Sequence, residues 1–147
     1  MNSDEGSVSE IIPGLFVGDI NIARNSDFMK SNNIKRIVNC TKHIPCYFRN
    51  LILYYQIPVN DTFLDSDILQ THLLPAVNFM MYPSKSNAVL IHCHAGISRS
   101  CTVAAAFIRL FYFPNIPDAI NFVISKRHIA FSHGVEFRKV LENLFVI

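Results

Sequence analysis

The sequence predicts an α/β fold, with a central, mostly parallel, twisted sheet flanked by helices. Three observations predict it. Short β-branched segments alternate with longer segments whose apolar residues recur at helical spacing. One short segment, Ala88-Val89-Leu90-Ile91-His92, is apolar almost throughout, as strands buried on both faces of a parallel sheet are. Half of the 147 residues are hydrophobic and only 16% are charged, enough apolar material for one core.

Residues 1–9 read as a flexible leader, and residues 10–147 as a single domain without repeat, low-complexity block or linker. Ile11 to Gly18 reads as two short strands around a Pro13-Gly14 turn. A short helix follows over Ile20 to Met29, then strands over Ile34 to Cys40 and Leu51 to Val59, both rich in β-formers. Asp67 is placed as the N-cap of a helix through Leu69, Leu73, Leu74, Val77 and Met81, which Pro75 should kink or restart. After the strand at 88–92, Ser98 or Ser100 opens an apolar helix to about Phe111, ahead of Pro114. Phe107, Leu110 and Phe111 are assigned to the core. Two further helices are expected near Pro117 to Lys126 and Val135 to Leu144. The ligand site of such a sheet lies beyond the carboxyl ends of its strands.

Composition narrows the function. A formal charge of +2, with scattered Lys and Arg, is too weak a bias to argue for nucleic acid or a membrane surface, so neither is expected as partner. The apolar runs at 102–110 and 141–147 are too short to span a bilayer, and the polar, acidic start Met1-Asn2-Ser3-Asp4-Glu5 is no secretory signal. The expectation is therefore an intracellular protein, cytoplasmic or nuclear. Cysteines at 40, 46, 93 and 101 have no zinc spacing, so no metal and no cofactor are expected. In a reducing compartment they are free thiols, and one of them is a candidate nucleophile.

The segment joining the buried strand to the apolar helix singles out Cys93. It reads His92-Cys93-His94-Ala95-Gly96-Ile97-Ser98-Arg99-Ser100. Successive backbone N–H groups of a tight loop, with the unpaired donors and positive end of a following helix, make an anion cradle. His94, Ala95, Gly96, Ile97 and Ser98 supply the loop, and Arg99 adds a planar fork that grips two phosphate oxygens. The same field favours a thiolate, so Cys93 is expected to attack in ionised form. Ser100 is placed to donate to that thiolate, and His92 to steady the loop from outside the pocket. A lone Cys-x5-Arg recurs by chance; strand, glycine, serine and helix around it make the pattern specific.

This stretch resembles the H-C-x-x-G-x-x-R-S/T signature of dual-specificity protein phosphatases, within the cysteine-based tyrosine phosphatase superfamily. Ile12-Pro13-Gly14-Leu15-Phe16-Val17-Gly18 is similar to the family's opening strands, Ile37-Val38-Asn39-Cys40-Thr41 to an inner strand, and Ile57-Pro58-Val59-Asn60-Asp61 to the segment ending in its general acid. Three carboxylates crowd that region, Asp61, Asp65 and Asp67; the resemblance implies Asp61 as the acid, with Asp67 a helix cap and Asp65 a loop residue. It implies metal-free hydrolysis of phosphotyrosine and phosphoserine or phosphothreonine in proteins through a phosphocysteine. It also implies a shallow pocket, because no room is left for the large insertions of strictly tyrosine-specific enzymes. Phosphoinositide enzymes tend to carry lysine in this loop and RNA 5′-end enzymes fill it differently; a phosphopeptide-binding pseudo-enzyme would have lost Cys93, Arg99 or Asp61. Some relatives protect the nucleophile by a disulfide with a neighbouring cysteine, which makes Cys40 the candidate redox partner. One departure stands out: the family's Pro-Asn before the last helix is replaced by Lys126-Arg127-His128-Ile129-Ala130-Phe131-Ser132-His133-Gly134, where His133 is the candidate substitute for the loop-bracing Asn.

Overall fold

A computed structural model, describing residues 6–144, places a five-stranded sheet between a larger and a smaller layer of helices. In chain order the elements are β1 (Val8–Ile12), β2 (Leu15–Gly18), α1 (Ile20–Ala23), α2 (Ser26–Ser31), β3 (Ile34–Asn39), β4 (Leu53–Gln56), a 3-10 turn (Phe63–Asp65), α3 (Ser66–Phe79), β5 (Ala88–His92), α4 (Arg99–Phe111), α5 (Ile116–Lys126) and α6 (Arg138–Leu144). The strand order is β1-β2-β5-β3-β4, and every neighbouring pair is parallel except β1 with β2. The mostly parallel α/β sheet read from the sequence is the one observed.

β5 lies in the middle, which explains its composition. Val89 and Ile91 face the larger layer of α3 to α6, while Ala88 and Leu90 face the smaller layer of α1 and α2. A strand with apolar neighbours on both faces has no polar face to alternate with. α4 packs over the sheet among α3, α5 and α6, and every residue from Ser100 to Ile108 is buried. Beyond Ile108 it runs out of the core: Leu110 is 38% and Phe111 46% exposed, which corrects their assignment to the interior, while Phe107 is buried as expected.

Several boundaries moved for local reasons. Val8 and Ser9 pair within β1, so the leader drawn through residue 9 ends too late; residues 1–5 of that leader lie outside the described residues. The helix expected over 20–29 is two, because the Asn25 side chain accepts from the Phe28 amide at 2.9 Å and caps α2 afresh, as Asp19 caps α1. The strand expected over 51–59 keeps ladder pairing only in β4, at the sheet edge. Asp67 is not a cap: Asp65 holds that position without a side-chain capping bond, and Asp67 sits in the first turn of α3, where its charge suits the helix dipole. α3 continues through Pro75 instead of restarting there. Gly14 turns β1 into β2 at φ +83°, where a β-carbon would lie 2.4 Å from the Ser84 backbone.

Candidate active site

The carboxyl ends of the parallel strands converge on residues 93–98, the loop between β5 and α4. Its shape follows from where its carbonyls go. His94 O accepts from the Ile20 amide (2.9 Å) and Ile97 O from the Phe131 amide (2.9 Å). Ser98 O accepts from the amide and hydroxyl of Thr102 (2.9 and 2.8 Å). Ala95 O and Gly96 O accept from Arg127, Nη2 at 3.4 Å and Nε at 2.7 Å, and the Cys101 thiol adds a contact to Gly96 O at 3.4 Å. With every carbonyl from 94 to 98 held from behind, the amides turn the other way. Among the described residues, none of the N–H groups of residues 94–98 meets an acceptor. Turned inward and unpaired, they form a nest for an oxyanion at the open end of α4.

Two side chains complete the nest. Ser98 stands at the N-cap of α4 yet makes no capping bond, and its buried Oγ has no partner among the described residues. Buried hydroxyls without partners are rare enough to point at a missing acceptor. Arg99 donates from Nη1 to Val59 O at 3.0 Å, while its Nε is buried and unpaired. The guanidinium is thus anchored at one corner, with donors left for an anion.

Cys93 is 2% exposed at the floor of this nest, its Sγ 3.1 Å from the Oγ of the fully buried Ser100. His92 is buried in β5 outside the cavity, with Nδ1 3.3 Å from Cys93 O. Burial pushes His92 down to about 4, and the Arg99 charge adds to the push, against the pull of its bond to Cys93 O. The neutral ring donates rather than burying a charge. Because the folded value lies below the unfolded one, the unfolded chain takes up a proton that the folded chain refuses, so stability falls as pH drops from about 6.5 toward about 4. The shift corresponds to roughly 3 kcal/mol. Urea titrations across that window should show the loss in the wild type and a distinctly shallower one in His92→Gln; parallel pH profiles would refute the assignment.

The segment carrying Asp61 comes from the other side. β4 leads to Ile57 and Val59, both fully buried, and Val59 O holds Arg99, so Asp61 is delivered to the cleft two residues after the anchor. Of the three carboxylates, only Asp61 lines the cavity with Cys93 and Arg99. Asp65 instead accepts from the Asn60 amide at 2.7 Å and closes the loop that carries Asp61. The cavity, about 340 Å³, is lined by Cys93, His94, Ala95, Ile97, Ser98, Arg99, Asp61, His133 and Glu136. A wider cleft of about 650 Å³ beside Val8 and Phe28 is lined by no cysteine, histidine or cationic side chain.

The missing Pro-Asn is made good in an unforeseen way. His133 is exposed, lines the cavity, and bonds to nothing in the loop, so it does not take over the bracing role considered for it. The brace is Arg127, 2% exposed, which spans Gly96, Ala95 and the Ser9 hydroxyl (3.1 Å). Phe131 supplements it by adopting φ +58°, an unfavourable angle for a side chain of that size, while its amide meets Ile97 O. Gly96, at φ +69°, must lack a β-carbon, which would lie 2.6 Å from Arg127 Nη2 and 2.8 Å from Gly18 O. Among the described residues no cluster of three or more potential metal ligands occurs, and no helix is long and apolar enough to cross a membrane.

Comparison with known proteins agrees with this geometry. Residues 15–145 match the family model described as dual specificity phosphatase, catalytic domain. The chain is 40% identical over 111 residues to dual specificity protein phosphatase Mpk3 of Drosophila melanogaster, covering 73% of this chain and 26% of that protein. It is 34% identical over 129 residues to human dual specificity protein phosphatase 6, covering 86% of this chain and 33% of that protein. The chain thus spans a third or less of these relatives. The crystal structure of human DUSP28 superposes with a TM-score of 0.81 at 23% identity, over 93% of this chain and 91% of that one, a likeness of fold.

Proposed function

The chain belongs to the dual specificity phosphatase family by its catalytic domain, and on that premise we propose that it hydrolyses phosphotyrosine and phosphoserine or phosphothreonine in proteins through a phosphocysteine intermediate. One observation carries the reading: an empty-handed ring of amides, Ser98 Oγ and Arg99 Nε surrounds a cysteine whose sulfur touches a buried hydroxyl. That arrangement suits a phosphoryl group in flight from one oxygen to another.

In the first step the Cys93 sulfur attacks phosphorus in line, the bond to the leaving oxygen breaks, and Asp61 gives that oxygen its proton. The loop amides of His94 to Ser98 and the Arg99 fork hold the equatorial oxygens as charge redistributes over them. In the second step water attacks phosphorus, Asp61 takes the water's proton, and the Cys93–phosphorus bond breaks to release inorganic phosphate. Ser100, 3.1 Å away, donates to the sulfur as negative charge returns to it. Acceptance of serine and threonine esters rests on family analogy to a shallow pocket. Phosphoproteins are therefore the proposed partners. The proposed location is intracellular, cytoplasmic or nuclear, since four unpaired thiols suit a reducing compartment. Phosphate release from phosphotyrosyl and phosphothreonyl peptides tests the reading; turnover of inositol phosphates or RNA 5′ ends in place of both peptides would reject it.

Cys40 is the proposed redox partner. Its amide donates to His92 O at 2.8 Å, and continuing the Asn39↔His92 register sets it opposite Cys93. Neighbouring strands lie about 4.8 Å apart, within the roughly 4.4–6.8 Å that a disulfide spans between Cα atoms. Both thiols belong to the same buried cluster. Burial, and then the Cys93 charge, pushes the Cys40 thiol well up, so Cys40 is held as a neutral thiol beside the nucleophile. Peroxide converts Cys93 to a sulfenic acid, and the Cys40 sulfur then displaces water to form the disulfide. Non-reducing peptide maps after peroxide should contain a Cys40–Cys93 link, and Cys40→Ser should lose thiol-recoverable activity. Direct progress to a sulfinic acid at Cys93, or a link to Cys101, would end this idea.

A further inference from the structure

The proposed chemistry leaves one charged wall of the cleft without a task. The phosphoryl group occupies the loop amides, Ser98 and Arg99, and the leaving oxygen occupies Asp61. Facing the cavity beside them stand His94, His133 and Glu136. Glu136 is exposed and has neither ion-pair nor hydrogen-bond partner among the described residues, whereas Glu142, further on in α6, is paired with Arg138. Its backbone is nonetheless fixed, because the next residue, Phe137, is fully buried in the core.

An unpaired carboxylate carried on a fixed backbone beside a dianion site opposes the binding of every phosphorylated ligand. The opposition turns into attraction when the ligand brings a cation to the same wall, and it doubles against a ligand bringing a second anion. Resting on the phosphatase reading above, we propose that Glu136 sets specificity, selecting phosphoprotein segments with an Arg or Lys side chain next to the phosphorylated residue and rejecting acidic or doubly phosphorylated ones. Asp61 cannot take this part, since its carboxyl is committed to the leaving group. His94 and His133 are the groups that would favour the opposite choice if charged.

The test compares phosphopeptides differing only in Arg, Asp or a second phosphoserine beside the scissile residue, at low salt and pH ~8, where histidines in general are neutral. For the wild type, kcat/KM should favour the Arg peptide over the Asp peptide about three- to tenfold, the scale of one rim charge. The ratio should fall close to one in Glu136→Gln, invert in Glu136→Lys, and shrink in high salt, as a packing effect would not. A wild-type ratio near one, a ratio that survives Glu136→Gln, or a preference for the doubly phosphorylated peptide would overturn the assignment. Failure to hydrolyse even a simple aryl phosphate would instead bring down the phosphatase reading on which it rests.

Discussion

Cys93→Ser should abolish turnover, by a factor on the order of 10⁴–10⁶, the scale on which removal of a covalent nucleophile is felt. A serine hydroxyl in the same place has an oxygen that is scarcely ionised, whereas a thiol is an able nucleophile even when only a small fraction is thiolate. The nest is unchanged by the swap: the carbonyls of 94–98 keep their donors, and Ser98 Oγ and Arg99 Nε stay open. Phosphopeptide affinity should therefore survive while chemistry is lost, and calorimetry beside a phosphate-release assay separates the two. Asp61→Asn is the informative companion. It should cost about 10²–10⁴-fold with alkyl esters and much less with activated aryl phosphates such as 4-nitrophenyl phosphate, whose leaving oxygen is stable without a proton. Equal losses on both substrates would mean that Asp61 is not the acid.

The second large effect is expected at a residue that touches no reacting atom. Arg127 acts through the loop, so it is a positioning residue. Arg127→Met strips the donors from Ala95 O and from the 2.7 Å bond on Gly96 O, and frees Ser9 from a tie that also joins β1 to the site. Hydrogen bonds from a charged donor contribute about 1.5–3 kcal/mol each, so a loss of several kcal/mol is the order to expect. The freed carbonyls are also at liberty to turn inward, and misplacement of an oxyanion nest by an ångström costs about 10²-fold in rate. Competitive inhibition by inorganic phosphate should weaken in parallel with kcat, measured well below the lowered Tm. If Tm falls while phosphate affinity and kcat of the folded protein hold, Arg127 is a structural strut and nothing more. Arg127→Lys, which reaches one carbonyl but not both, should lie between.

β5, the loop and α4 were legible because their constraints are local: a strand buried on both faces must be apolar throughout, and an anion nest at a helix start needs Cys, Gly, Ser and Arg at fixed spacing. Cys40 entered as a candidate only through the family resemblance, because the β3–β5 pairing that sets it beside the loop joins segments far apart in sequence. Arg127 was not legible. Lys126-Arg127 at the end of a helix reads as a solvated pair answering the helix dipole, and only the tertiary fold carries its guanidinium under a loop 31 residues away. Glu136 was hidden likewise, since one exposed acid near a helix start has no periodicity to betray it. The cap falls at Asp65 and not Asp67 because the 3-10 turn runs straight into α3 and starts it two residues earlier, a boundary detail that composition does not encode. Leu110 and Phe111 continue the apolar spacing of α4 past the point where the sheet stops covering it.

If the phosphoryl group passes through the sulfur of Cys93, it can be trapped there. Wild-type protein mixed with an aryl phosphate and quenched in acid within the first turnovers should yield a peptide containing Cys93 that carries one added phosphoryl group, absent from Cys93→Ser and more abundant when Asp61→Asn slows the second step. Phosphate release without any such species, or a phosphoryl group found on another residue, would contradict the account.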